Sequence, residues 1–251
     1  RFMLYYLNNG DVKMTRKDFA VGVRIEHPRR HIDYLQYGRF ADEQKLGAAR
    51  YRLSYHDRAS DKGTYSFCMC PGGYVLSSGT DPDGIVVNGM SNYARNSPWS
   101  NSALVVTVDA DQDLETGEDR FDPLAGLDFQ HHIEKTAFQF SAERATGKEI
   151  PAQNLRDFLD GRASLELPKS SSPSKTVSVP LMDVLPPFVG EHLHRALGQF
   201  DRKMKGFVTD KALLLAPETR TSAPVTIERD RESLESASHS GLYPCGEGAG
   251  H

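Results

Sequence analysis

Cys68-Met69-Cys70, directly before Pro71-Gly72-Gly73, is the densest concentration of reactive side chains in this chain. Side chains two apart in a strand share a face, so the spacing predicts both thiols on one side, where a Cys-x-Cys pair suits redox exchange or a soft metal. As a zinc site it is half a set, because there is no second cysteine pair and Cys245 adds a single thiol. The residues alone favour the plainer reading of two small, inert, buried hydrophobes. His131-His132-x-Glu134 and Glu191-His192-x-His194 offer imidazole beside carboxylate. Neighbours one or two apart on a helix diverge, and neither segment has the i,i+4 histidine pair of a zinc-binding helix. These histidines are therefore expected to be solvated or structural, and no metal is expected. Arg220, within Glu218-Thr-Arg-Thr-Ser222, sets a fixed cation among hydroxyls. That suits a phosphate, a carboxylate or an electron-rich ring edge, and equally an ordinary strand with a surface ion pair. Finally, Cys245-Gly-Glu-Gly-Ala-Gly250 is a turn whose backbone N–H groups can approach a bound anion or an electron-poor ring.

These residues need elements to hold them. Phe2 to Gly10 reads as a helix already under way, Phe19–Ile25 as a strand stopped by Pro28, and His31–Tyr37 as a short helix ended by Gly38. Extended runs follow at Ala49–Tyr55, Tyr65–Cys70, Tyr74–Ser77, Gly84–Gly89 and Ala103–Val108. The Gly72-Gly73 turn predicts a hairpin between Tyr65–Cys70 and Tyr74–Ser77, and Ser91–Ser102, with the single tryptophan Trp99, reads as a polar loop. Closely spaced strands of this kind predict a mostly antiparallel sheet or small barrel. Then the period changes. Phe129, Ile133, Ala137 and Phe140 recur at helical spacing from Leu124 to Arg144, and Val189, Leu193, Leu197, Phe200 and Met204 do so from Phe188 to Lys205. A shorter helix is expected at Asn154–Leu159, and Lys169–Lys175 reads as a serine-rich excursion with no core content. Ala212–Leu215, Pro224–Ile227 and Leu242-Tyr243 are expected strands, the last running into the terminal turn where a helix should begin. Both ends read as cut from something larger.

Composition bounds the function classes. With 38% hydrophobic residues in 251, the chain can bury a real core. Its 30 Lys and Arg against 34 Asp and Glu are scattered rather than striped, which argues against nucleic acid or an anionic membrane as partner. No apolar run is long enough for a membrane helix, and no signal-peptide pattern opens the chain. Three cysteines make no secreted disulfide framework, so a cytoplasmic location is expected.

Several strings are recognisable as such. Phe19–Pro28, Ser66-Phe-Cys-Met-Cys-Pro-Gly-Gly73, Val87–Ser91, Asn101–Val108, Glu218–Val225 and Gly241–Gly250 resemble, in order and across nearly the whole chain, a family of uncharacterised FAD-dependent dehydrogenases found mainly in bacteria. The resemblance implies an α+β fold: a mixed, mostly antiparallel sheet or small barrel with a helical subdomain, inserted into a two-part, Rossmann-like FAD-binding domain. Residues 1–18 would leave the FAD domain, 19–115 form the β-rich part of the insert, 116–210 its helical part, and 211–251 return to the FAD domain. The glycine-rich dinucleotide fingerprint is absent here and would lie on an N-terminal segment of the same protein. By the same resemblance, Arg220, Thr221, Ser222, Cys245, Gly246, Glu247, Gly248 and Gly250 would border FAD, with Glu247 accepting hydroxyl hydrogen bonds. Cys68, Cys70 and Arg220 are the catalytic candidates. The implied reaction is hydride transfer at flavin N5 on an unknown small-molecule substrate, with NAD(P)H as a reductant; this piece alone is expected to be inactive and to retain FAD weakly. The alternative is a non-catalytic ligand- or partner-binding module derived from a flavoprotein.

Overall fold

A computed structural model of the chain describes residues 2–43, 45–79, 81–114 and 122–249. In chain order the elements are α1 (Phe2–Asn9), β1 (Met14–Arg16), β2 (Phe19–Pro28), α2 (Arg29–Tyr37), β3 (Ser54–Asp57), β4 (Lys62–Cys70), β5 (Tyr74–Ser77), β6 (Val87–Met90), β7 (Trp99–Val108), α3 (Ala125–Arg144), β8 (Ile150–Asn154), α4 (Leu155–Leu159), β9 (Thr176–Ser178), α5 (Leu181–Val184), α6 (Pro187–Lys203), β10 (Leu213–Glu218) and β11 (Val225–Ile227). Short 3-10 turns stand at Gly38–Phe40 and Glu247–Ala249. Contacts divide the chain into two compact units, residues 1–20, 107–132 and 220–251 in the first and 21–106 and 133–219 in the second.

The second unit is built on a seven-stranded sheet ordered β3-β4-β7-β2-β10-β8-β9. The pairings β3–β4, β4–β7, β2–β10 and β8–β10 are antiparallel, and β8–β9 is parallel. The sheet stays open, with β3 and β9 as edges, so the barrel alternative is not formed. A parallel neighbour needs a long crossover rather than a tight turn, and residues 155–175 supply it. Strand β8, absent from the expected elements, joins the sheet between β10 and β9, and its five residues are all buried.

Nine of the ten residues of β2 are buried, the pattern of a central strand covered on both faces. On one face Val75 of β5 and Val87 of β6 pack with Ile150, Ala152, Leu213 and Leu215, so the β5–β6 hairpin lies over the sheet. The expected hairpin between β4 and β5 is therefore a correction: β4 pairs with β3 and β7, and β5 with β6. Gly72 makes the departure, with φ +53 and the Arg95 carbonyl oxygen 1.9 Å from where a Cβ would stand. Only glycine fits so tight a bend. Facing the opposite side of β2 from Glu26, His27 lies 4.8 Å ring to ring from Phe207, which meets Phe200 of α6 edge-on. The stripe predicted for α6 is all buried, each side chain contributing about 1.5–3 kcal/mol of apolar burial.

The serine-rich excursion is tied to this core. Ser171 donates its backbone N–H to Glu26 Oε1 at 2.9 Å and accepts from the Val75 N–H at 2.8 Å. Burial pushes the Glu26 carboxyl up, while the bonds from Ser171 pull the other way. Trp99, expected within the Ser91–Ser102 loop, instead begins β7, and its indole N–H donates to the Lys169 carbonyl at 3.2 Å.

The first unit holds α1 and a two-stranded antiparallel ribbon of β1 and β11, registered Met14 to Ile227 and Arg16 to Val225. Phe19 meets Phe129 edge-on at 6.0 Å, and Gly126 lets the helix start approach Pro224. The expected strand at Leu242-Tyr243 is not formed. That segment is irregular, with the Leu242 carbonyl accepting from the Ser236 N–H at 2.7 Å. Two apolar residues before Pro244 have no ladder partner to extend them.

Candidate functional site

The cysteine pair sits at a fault in β4. Ladder pairing with β7 runs to Phe67↔Ala103 and resumes at Cys70↔Asn101, so β4 carries one residue more than its partner between these points, a β-bulge. Cys68 occupies it with φ +46, a left-handed conformation that side chains other than glycine rarely adopt. The bulge breaks the alternation: Thr64, Ser66 and Cys70 are buried and Cys68 is exposed. The expectation of two thiols sharing one face is thus overturned, because the period of two holds only while the ladder is unbroken.

Beneath the bulge lies Arg24, the largest fully buried side chain among the described residues. Its Nε and Nη2 donate to Glu218 Oε2 and Oε1 at 2.8 and 3.0 Å, a bidentate pair. Nη1 donates to Asn101 Oδ1 at 2.8 Å and to the Cys68 carbonyl at 3.3 Å, and points at Cys70 Sγ at 3.9 Å. Nη2 also reaches Asn88 Oδ1 at 3.4 Å. Burial works against the charged guanidinium, but the bond and charge of Glu218 outweigh it and its pKa is raised. Gly89 makes room, since a Cβ there would stand 2.1 Å from Nη1. For Cys70, burial pushes the thiol up while Arg24 draws it down, with a net rise. Cys68 opens on a cavity of about 780 Å³ lined also by Tyr51, Arg52, Tyr65 and Phe67. The available sequence signal for Arg24 was a charged residue near the end of the otherwise apolar run Phe19–Ile25; its partner Glu218 lies beyond the expected strand Ala212–Leu215.

In the first unit the terminal turn meets the 220–224 loop. Glu247 Oε1 accepts from the Ala223 N–H at 2.9 Å and lies 3.6 Å from Lys17 Nζ. Gly246, with φ +90, opens the turn, and the Ala249 N–H closes it on the Gly246 carbonyl at 3.1 Å. Thr221 donates its hydroxyl to the Ala20 carbonyl at 2.6 Å, and the Ser222 carbonyl accepts from Gln130 Nε2 at 3.4 Å. Arg220, Thr221 and Ser222 belong to a loop, since β10 ends at Glu218 and β11 begins at Val225. The predicted residues Thr221, Ser222, Gly246, Glu247 and Gly248 therefore form one neighbourhood, with Arg220, Cys245, Gly246 and Glu247 exposed. Gly250 lies outside the described residues. Of the catalytic candidates, Arg220 belongs to the first unit and Cys68 and Cys70 to the second. What sequence reasoning missed is that Glu247 staples the turn to the loop with one oxygen.

The donor set fits a flavin. Backbone N–H groups at a glycine turn and an exposed guanidinium suit the electron-rich edge of the ring, and the second oxygen of Glu247 suits a ribityl hydroxyl. Around Gly248 a Cβ would meet nothing closer than 4.0 Å, so the turn leaves space beside it.

The two histidines of α6 take structural roles. His192 Nε2 bonds Ser60 Oγ at 2.8 Å and its Nδ1 the Phe188 carbonyl at 2.7 Å, while His194 bonds the Leu159 carbonyl at 3.0 Å. Among the described residues no helix is long and apolar enough to cross a membrane.

An open, mostly antiparallel sheet covered by a hairpin and helices, with polar groups gathered at a bulge and at a glycine turn, defines a mixed α+β module. Residues 18–221 match the family model described as FAD-dependent protein, C-terminal domain-like, and the chain belongs to that family. It is 43% identical over 251 residues to an uncharacterized protein of Clostridium beijerinckii, covering 99% of this chain and 45% of that protein. The chain thus spans less than half the length of this relative.

Proposed function

We propose that the chain is the substrate-covering and flavin-proximal portion of an FAD-dependent oxidoreductase of the bacterial cytoplasm. The observation that carries this reading is the match to the FAD-dependent family over residues 18–221. The meeting of the terminal turn with the 220–224 loop supports it further. FAD, when bound, supplies hydride transfer at its N5 atom. Glu247, Gly246, Gly248 and Cys245 would hold its ribityl chain and pyrimidine edge. Arg220 contributes a positive charge that favours negative charge on the reduced ring, and Thr221 and Ser222 shape the loop that carries it. The inserted part of the protein excludes water and selects a small-molecule substrate. A nicotinamide reductant acts on the whole protein, whose further FAD contacts lie on the N-terminal segment.

Purification of the full-length protein tests the reading. A yellow protein whose flavin absorbance bleaches with NADH, NADPH or a screened substrate is expected; a colourless preparation, inert to reductants and reconstituted with no FAD, is the outcome of a non-catalytic binding module and sinks it. Residues 1–251 alone are expected to hold FAD weakly. In the full-length protein, Glu247→Ala is expected to lower the FAD content at least several-fold, because it removes both the staple to Ala223 and a hydroxyl acceptor.

A further inference from the structure

The cysteine pair is not used by the flavin reading, and its geometry is that of two thiols with divided roles. Cys68 is exposed, lines the 780 Å³ cavity and is held in a left-handed conformation at the bulge. Non-glycine residues in that region persist only where the surroundings enforce them, and they cluster at functional sites. Cys70 is buried two residues on, with its Sγ 3.4 Å from the Cys68 carbonyl oxygen and 3.9 Å from Arg24 Nη1. The same Nη1 holds the Cys68 carbonyl at 3.3 Å. One buried cation thus fixes the backbone of the first cysteine and faces the sulfur of the second, and Glu218 and Asn101 fix the cation.

We propose that Cys68 and Cys70 form a dithiol centre that reduces small-molecule disulfides, with Cys68 as the attacking thiol and Cys70 as the resolving one. The Cys68 thiolate attacks one sulfur of the disulfide, forming a mixed disulfide and releasing one thiolate, which takes up a proton from solvent. Cys70 then loses its proton and attacks the Cys68 sulfur, closing a Cys68–Cys70 disulfide and releasing the second thiolate. Two cysteine thiols are oxidised and one disulfide is reduced to two thiols, so electrons and protons balance. Because Cys68 faces outward and Cys70 inward, closing the disulfide takes a backbone shift at the bulge together with a turn of the exposed Cys68 side chain. Arg24 is a positioning residue, aligning the bulge and favouring the Cys70 thiolate at the moment of attack. The cavity beside Cys68, with Arg52 on its lining, suits a disulfide that carries carboxylates, such as oxidised glutathione.

The experiment uses the full chain, folded and fully reduced, incubated with oxidised glutathione, quenched by alkylation and digested with trypsin. Residues 63–95 contain no Lys or Arg before Arg95, so Cys68 and Cys70 fall together on one peptide that excludes Cys245. The wild-type peptide is expected to lose both free thiols as an internal disulfide without retaining a glutathionyl group. Cys70→Ser is expected to stall as a stable glutathione adduct on Cys68, and Cys68→Ser to leave Cys70 free. Exposed Cys245 serves as the internal comparison, since an isolated thiol keeps its adduct. A wild-type peptide that keeps glutathione on Cys68, or one that stays reduced while Cys245 reacts, overturns the proposal. The readout needs no flavin, so its failure is separate from any failure of the oxidoreductase reading.

Discussion

Arg24 and Glu218 set the residue scale, because a buried ion pair is worth most when one partner is lost. Glu218→Gln leaves the guanidinium without its counter-charge, and a loss of about 3–5 kcal/mol is expected by the general cost of orphaning a buried charge. Urea unfolding at constant slope measures it. Replacing both partners together, Arg24→Met with Glu218→Leu, is expected to recover much of that loss; a double variant as unstable as the single would show that Arg24 matters mainly for its bonds to Asn101 and the Cys68 carbonyl. Gly89→Ala should be destabilising by a comparable amount, since its methyl would stand 2.1 Å from Arg24 Nη1 and 2.3 Å from Asn101 Oδ1. The chemistry-bearing residue types were legible in the sequence here, and Cys68, Cys70 and Glu247 all sit where contacts matter. Arg24 was not, because an arginine within a strand reads as solvent-facing until the strand is known to be covered on both sides.

At the element scale the long periodic segments were the most legible. Helices α3 and α6 stand within a residue or two of their predicted limits because an apolar stripe sustained over many residues has few competing solutions. The short helix α4 was also visible, and its cap explains why. Asn154 Oδ1 accepts from the Arg156 N–H at 2.9 Å while its Nδ2 donates to the Asp210 carbonyl at 2.6 Å. Asn154→Ala removes both and is expected to cost about 1–2 kcal/mol, read as a lower melting temperature; Asn154→Asp should keep the cap but set a carboxylate oxygen against the Asp210 carbonyl, and so is also expected to be less stable than the wild type. Strand pairing was the least legible part. A Gly-Gly turn between two extended runs predicts a hairpin, yet β4 continues to pair with β7 while β5 folds over the sheet. Turn chemistry fixes a change of direction, and the choice of partner belongs to strands remote in the chain. The bulge in β4 is invisible for the same reason, being a mismatch of count between two strands, of which each alone is regular.

At the scale of the whole molecule, stability should depend on pH through His27. Burial lowers its pKa from the usual 6.5 to about 4, against the bond its Nε2 makes to the Phe207 carbonyl. The folded protein keeps this ring neutral, whereas the unfolded chain takes up a proton below about 6.5, so the unfolded state binds more protons between these values. Stability is therefore full above about pH 6.5 and falls as pH drops toward 4, by roughly 3 kcal/mol from this group. Denaturation midpoints across that range check the sign. His27→Gln, which can still donate to Phe207, should flatten the slope relative to the wild type, and an unchanged slope would assign it elsewhere.

The sequence by itself determined the class of the protein: an apolar pattern that must bury a mixed α+β core, the positions of its long helices, and the strings shared with an FAD-dependent family. Those are properties of local periodicity and of residue order, which need no partner to be read. Tertiary structure alone decided that the sheet stays open, that β5 and β6 cover it, that Cys68 faces outward while Cys70 faces Arg24, and that Glu247 holds the terminal turn to the 220–224 loop. Each depends on contacts between residues far apart in the chain, whose entropy of closure is met only by the assembled core, and no local propensity encodes them.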